Sequence, residues 1–387
     1  MKAVILAAGE GTRLRPLTDA RPKPMLPVAN QPLLAHVVDA VVDAGIDDVV
    51  LVVGYRRDRI QNHFGDGDDW GIDVEYAVQE KQLGTGHALL QAEPFVDGDF
   101  VALNGDRVIE PDAIAALAAA HRDGDDPTMA VTRSAQPSNY GVVDLDGRRV
   151  VSLTEKPPSH AADSDVINAG VYGFDDSVFE DVRDTDADVE LSLTATLQRL
   201  AAENRLRAVP FDGRWLDVSH LWDLPAVNAR LLSADGAVRA DSAAVHDTAA
   251  VSDEVALGAD ARVRAGAAVT SGVSVGDNAE VGPNAVVSNA VVLPDATIGA
   301  GAVVRDCVVG EDASVGPNVT VQGGVGDVAV DGTLHADVRL GGVVGDGAAV
   351  GGGASFVPGT VLGNDARVDP GATLHGRIED GAVVRRG

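Results

Sequence analysis

The chain reads as two architectures in series: a Rossmann-like α/β domain with a mostly parallel sheet over residues 1–232, then a parallel β-helix of hexapeptide repeats over 233–387. The first part alternates short aliphatic runs with stretches of helical periodicity, the pattern of strands crossing over through helices. The second part loses helical periodicity and takes up a six-residue beat. At 387 residues the chain also exceeds the usual size of one domain, so two cores are expected.

In the first part the strand candidates are KAVILAA, DDVVLVVG, DVEYAVQ, DFVALNGD, TMAVTRS and NAGVYGF. LLAHVVDAVVDAG, PDAIAALAAAHRDG and ELSLTATLQRLAAEN carry helical spacing with Gly or polar stops. After LWDLPAVNARLLSADG the beat begins: Val275-Gly276, Val281-Gly282 and Val287 keep one phase. Val309-Gly310, Val315-Gly316 and Val321 repeat it, as do Ile298-Gly299 with Val304, and Val344-Gly345 with Val350-Gly351. An aliphatic residue at every sixth place points into a narrow core. With three flat sides of six residues, a coil takes roughly 18 residues and the segment holds about eight coils.

Charge narrows the function. Asp and Glu number 59 against 30 Lys and Arg, a net charge of −29, the wrong sign for a nucleic-acid surface. Spread acid suits a protein that must stay hydrated in brine, so a halophilic cytoplasm is expected. Lysine is scarce, confined to Lys2, Lys23, Lys81 and Lys156. The single cysteine, Cys307, excludes an internal disulfide, and neither a signal-peptide pattern nor an apolar run of membrane length is present. No membrane partner is expected.

The chain opens MKAVILAAGEGTRLRPLTDARPKPMLPV, a glycine-rich loop with cations directly after the first strand. Gly9 and Gly11 let backbone N–H groups approach phosphate oxygens, and Arg13 adds a charge-assisted fork. A dinucleotide fingerprint is excluded by Leu14 at the third glycine position, and the Walker A lysine is absent.

LAAGEGTRLRPLTDARPKPMLPV resembles the signature of the sugar-phosphate nucleotidylyltransferases, the NDP-sugar pyrophosphorylases. The resemblance implies a loop around a nucleoside triphosphate, with Leu6, Ala8, Gly9, Gly11, Thr12, Arg13 and Lys23 as contacts. Arg13 would hold the departing pyrophosphate and Lys23 the charge developing at the α-phosphate. QEKQLGTGHALL resembles the base-recognition segment of the uridylyltransferase form, which gives Gln79, Gly84 and Thr85 to the base; a plain strand-to-helix turn with Thr85 as cap is the alternative. Asp106 ends FVALNGD and Asp217 lies in GRWLDVSH; the resemblance makes them the two ligands of one Mg²⁺, although Ser219-His220 departs from the family pattern. NYGVVDLD, SLTEKP and INAGVYGF map onto the acceptor pocket, with Gly141, Glu155, Lys156, Asn168 and Gly170 toward the sugar phosphate.

The implied reaction is transfer of a nucleotidyl group from UTP or dTTP to N-acetylglucosamine-1-phosphate or glucose-1-phosphate. Guanylyl transfer to mannose-1-phosphate and a non-catalytic regulatory homologue are the alternatives. In layout the chain is similar to the bifunctional N-acetylglucosamine-1-phosphate uridylyltransferases and glucosamine-1-phosphate acetyltransferases of archaeal type. That similarity implies a left-handed β-helix, a homotrimer formed through it, and an acetyl-CoA site. LHADVRLGGVVGDGAAVGGGAS would then place His335 as the base of acetyl transfer, with Val338 where a Tyr is usual and Pro358 near an expected Asn. The competing reading is a β-helix that serves only as scaffold.

Overall fold

The structure, a computed structural model, describes residues 1–124, 126–186 and 190–386. These form two compact units. One comprises Met1–Glu10, Pro22–Met25 and Leu33–Leu216; the other comprises Gly11–Arg21, Leu26–Pro32 and Asp217–Gly387.

In the first unit a nine-stranded sheet runs in the order Asp73–Val78, Asp48–Val53, Lys2–Leu6, Phe100–Asn104, Val166–Phe174, Thr128–Arg133, Arg207–Pro210, Arg149–Glu155, Gly141–Asp146. The first four are parallel, joined through helices, as the alternation of periods predicts. Val166–Phe174 is antiparallel to both of its long neighbours. The last two strands form a hairpin, which needs no crossover because Asp146-Gly147 supplies a tight turn with Gly147 at φ 60°. A two-stranded ribbon pairs Arg107–Ile109 with Trp215–Asp217.

Helices cover both faces. On one, Leu33–Asp43 buries Leu34, Val37, Val38 and Val41, the stripe expected of an amphipathic helix, beside Ile114, Leu117 and Ala118 of Pro111–Arg122; on the other, Leu193–Ala202 buries Leu197 and Leu200. From Lys2–Leu6 the chain builds outward on one side, then crosses to Phe100–Asn104 on the other. The reversal falls where Leu6 pairs Asn104, and the residues leaving these strands are Ala7-Ala8-Gly9 and Gly105-Asp106. Ligands of open α/β sheets bind at the carboxyl edge of such a reversal.

The second unit contains the parallel β-helix. Along one face Val245 pairs Val263, Val263 pairs Val281, Val281 pairs Ile298, and Ile298 pairs Val315. Val, Ala and Ile fill its interior. Corners turn through residues in the left-handed region, among them Asp260, Asn278, Asp295 and Asp312, a conformation short polar side chains tolerate. The ladder then skips: Val315 pairs Val350 and Val309 pairs Val344. Between them the chain leaves the coil as an antiparallel hairpin, Val325–Val330 with Thr333–Arg339.

Segments from the start of the chain pack into this unit by specific bonds. Arg21, buried, pairs with Glu311 at 2.5 Å and Asp346 at 3.0 Å and donates to the Leu17 carbonyl at 2.9 Å. Asn364 Nδ2 donates to the Pro16 carbonyl at 3.0 Å and to Asp19 Oδ2 at 3.2 Å. Asn228, fully buried, accepts from the Ala29 N–H at 2.7 Å and donates to the Gly272 carbonyl at 3.0 Å. No helix among the described residues is long and apolar enough to cross a membrane.

Candidate functional site

In the first unit the loop after the first strand is held from behind. The Ala8 carbonyl accepts from Gln82 Nε2 at 2.7 Å, and the Leu6 carbonyl accepts from the Gly105 N–H at 2.9 Å. A Cβ on Gly9 would meet open space, so an incoming group can approach that backbone closely.

Lys23 and Asp106 meet as an ion pair, Nζ to Oδ2, at 2.5 Å. Arg107 Nε lies 3.6 Å from Asp106 Oδ1. Burial pushes the Asp106 carboxyl up, but Lys23 and Arg107 outweigh it and hold it below the usual carboxylate range. Asp106 is therefore ionised at neutral pH, an oxygen donor suited to a hard divalent cation.

Arg107 was not among the expected site residues. Its guanidinium lies 5.1 Å from the Trp215 ring and 5.6 Å from the Tyr140 ring, which meet edge to face at 5.0 Å. Trp215 Nε1 donates to the Ala169 carbonyl at 2.9 Å. Tryptophan is scarce in this chain, and that scarcity was the signal available for Trp215.

The expected acceptor residues come together. Gly141 pairs Glu155 across the hairpin, and a Cβ on Gly141 would lie 3.1 Å from Glu155 Oε2. Lys156, at φ 45°, donates its N–H to the Tyr140 carbonyl at 2.9 Å, and its Nζ lies 3.7 Å from Glu155 Oε1. Asn168 accepts from the Gly170 N–H at 2.9 Å and donates to the Tyr172 hydroxyl at 2.9 Å. Burial pushes the Tyr172 phenol up to about 12, so it stays protonated. Gly170, at φ 79°, lies against Asn104, where a Cβ would come within 2.6 Å of Nδ2.

Gln79 is buried and donates to the Gly84 carbonyl and to His87 Nδ1, both at 3.0 Å. Gly84 precedes the helix Thr85–Leu90, but Thr85 does not cap that helix. Its hydroxyl accepts from the Leu193 N–H at 3.0 Å, at the start of a different helix, Leu193–Ala202. The turn expected at GTG thus also ties two helices together.

In the second unit Gly11, at φ 74°, precedes the single 3₁₀ turn Thr12–Leu14, and Thr18 Oγ1 donates to the Gly11 carbonyl at 2.9 Å. Thr12 and Arg13 are exposed. Asp217 Oδ2 accepts from Ser219 Oγ at 2.5 Å, so the departure at Ser219 places a hydroxyl directly on that carboxylate. His335 lies on the hairpin that leaves the β-helix rather than on the flat side of a coil. Burial, His220 and Arg13 together lower its pKa below the ordinary imidazole value.

Residues 2–234 match the nucleotidyl transferase family, and residues 251–379 match the GMPPB C-terminal domain. The bifunctional protein GlmU of Methanococcus maripaludis is 37% identical over 237 residues, which is 60% of this chain and 55% of that one. The match thus spans little more than half the length of that relative. A glucose-1-phosphate thymidylyltransferase of Streptomyces antibioticus is 37% identical over 239 residues, covering 60% of this chain and 66% of its own. The low-salt glycan biosynthesis nucleotidyltransferase Agl11 of Haloferax volcanii is 33% identical with the same coverage, 60% and 66%. Among solved structures, a Bacillus anthracis chain assigned as a glucose-1-phosphate thymidylyltransferase and holding a sucrose superposes with a TM-score of 0.56 at 26% identity, covering 59% of this chain and 94% of that one.

Proposed function

Since the chain belongs to the nucleotidyl transferase family, we propose that it joins UTP or dTTP to N-acetylglucosamine-1-phosphate or glucose-1-phosphate, giving an NDP-sugar and pyrophosphate. The observation that carries this reading is the Lys23–Asp106 pair at the sheet reversal. It is linked to the Gly141, Glu155, Asn168 and Gly170 cluster through Arg107 on Tyr140 and Gly170 on Asn104.

An oxygen of the sugar phosphate attacks the α-phosphorus, and the bond to the bridging oxygen breaks with its electron pair leaving on pyrophosphate. The acceptor is already an anion, so no general base is needed; the work is to hold two anions together and neutralise the charge that builds. Lys23 does this at the α-phosphate and Arg13 at the leaving pyrophosphate. Glu155 accepts from sugar hydroxyls, Lys156 holds the sugar phosphate, and Gln79, Gly84 and Thr85 receive the base. Mg²⁺, when bound, adds further neutralisation of phosphate charge; Asp106 and Asp217 are the carboxylates we assign to it.

For the β-helix we favour a scaffold role, because its coils hold the 11–21 segment through Arg21, Asn364 and their partners. Acetyl-CoA with glucosamine-1-phosphate is then expected to release no thiol; release would return His335 to the role of acetylation base. A trimer mass in light scattering is the expected oligomeric state.

The test is pyrophosphate release from four nucleoside triphosphates against several hexose 1-phosphates, with GTP and mannose-1-phosphate as the second pair of interest. Lys23→Met and Asp106→Asn should each lose about 10²–10³ in rate, the scale of one lost charge-stabilising contact. No pyrophosphate from any pair, or full rates in both variants, overturns the proposal.

A further inference from the structure

Asp106 is flanked by two cations. Lys23 Nζ reaches its Oδ2 at 2.5 Å, and Arg107 Nε lies 3.6 Å from its Oδ1. In the reaction above Lys23 turns toward the α-phosphate, and the carboxylate then keeps Arg107 beside it. The two cations are held differently. Lys23 ends a flexible aliphatic stem, whereas the Arg107 side chain is 19% exposed and its guanidinium lies over two rings, 5.1 Å from the centroid of Trp215 and 5.6 Å from that of Tyr140. The rings meet edge to face with planes at 80°, so they make a corner in which the guanidinium lies.

Both walls of that corner are tied to the acceptor residues. Trp215 Nε1 donates to the Ala169 carbonyl at 2.9 Å, and Ala169 stands between Asn168 and Gly170 on the strand Val166–Phe174. The Tyr140 carbonyl accepts from the Lys156 N–H at 2.9 Å, and the Tyr140 N–H donates to the Pro137 carbonyl at 2.9 Å. Tyr140 immediately precedes Gly141, so the ring that bears on Arg107 and the backbone expected at the sugar belong to adjacent residues. All of these residues belong to the first unit. One arginine therefore bears on the carboxylate at the sheet reversal and on the framework of the acceptor pocket. A lysine does not replace it, because a point charge cannot lie flat on a ring while presenting an N–H edge to a carboxylate.

We propose that Arg107 is a positioning residue for nucleotidyl transfer: acting through Asp106 and Tyr140, it fixes the α-phosphate side of the site against the acceptor side. This rests on the nucleotidyl-transfer reading and adds to it a residue that the sequence motifs did not single out. Its loss leaves each substrate bound but misplaces one against the other, which registers in the rate of bond making rather than in either affinity.

The test is single-turnover and steady-state kinetics of the full chain, using the pair that wild type turns over fastest among UTP or dTTP with glucose-1-phosphate or N-acetylglucosamine-1-phosphate. Arg107→Lys keeps the charge and loses the plane. Its single-turnover rate should fall about tenfold, the scale of one cation–π contact, with KM for both substrates within about twofold of wild type. Tyr140→Leu removes one wall and should slow the same step; combined with Arg107→Lys it should cost no more than about a further twofold, because both changes break one link. Should Arg107→Lys not fold, Arg107→Met is read in its place with the same expectation. A wild-type single-turnover rate in the Arg107 variant, a raised KM at full rate, or a loss that adds in full to that of Tyr140→Leu overturns this inference alone. If wild type turns over none of these pairs, the nucleotidyl-transfer reading falls and this inference with it.

Discussion

Replacing Arg21 by methionine isolates what the β-helix contributes to the glycine-rich loop. The Arg21 side chain is 6% exposed, and its partners Glu311 and Asp346 are 34% and 16% exposed. Methionine keeps the volume and removes the charge, leaving Asp346 without its nearest cation. Removing one partner of a buried ion pair costs about 3–5 kcal/mol, and the partial exposure of Glu311 puts this case near the lower end. About 3 kcal/mol corresponds to a fall of roughly 6–12 °C in the melting midpoint of a unit of this size. Because Arg21 ends the segment that carries Arg13, the KM for the nucleotide should rise as well. The pH dependence has a definite sign. Burial already raises the Asp346 carboxyl above its ordinary value against the pull of Arg21, and losing Arg21 raises it further. A carboxyl with a raised folded value costs stability above that value, and the cost is relieved as the pH falls through it. The gap between wild type and variant should be full at neutral pH and narrow in acid, as followed by thermal melts at several pH values. An unchanged melting midpoint with an unchanged nucleotide KM would refute the reasoning.

Other perturbations follow from the same geometry. Asp106, held low by Lys23 and Arg107, contributes stability that is complete above its unfolded pKa and lost as the pH falls through its folded value, so Lys23→Met should shift the acid-unfolding midpoint to higher pH. Gly84→Ala puts a Cβ 2.5 Å from the Leu191 carbonyl at φ 98° and should cost about 1–3 kcal/mol in urea unfolding. Arg264 and Glu280 pair at 2.5 Å with side chains 46% and 30% exposed; breaking that pair should cost less than about 1 kcal/mol and nothing measurable in molar salt, whereas the Arg21 effect should persist there.

The two architectures were legible because each has its own period. Aliphatic runs such as KAVIL and DVVLVV became strands within a residue or two of their predicted ends. The residues expected to face the sugar phosphate lie in short motifs, and the fold sets Gly141 beside Glu155 and Asn168. Arg21 was not found, because its partners lie about 300 positions away and nothing local distinguishes it from a solvated arginine. Arg107 was passed over beside the more conspicuous Asp106. The hairpin lay in the interval after Val321 where the six-residue beat lapses; alternating Val328-Ala329-Val330 before Asp331-Gly332 is a hairpin signal, and the repeat on either side masked it.

The membership of Gly11–Arg21 and Leu26–Pro32 in the same unit as the coils limits how this protein can be recombined. A chimera that exchanges everything after residue 232 for the tail of a relative would leave Arg21 without Glu311 and Asp346, and Pro16 without Asn364. Grafting therefore has to move the early segment and its distant counterparts as a matched set. A library that shuffles the two halves freely should be enriched, after selection, in clones where both came from one parent.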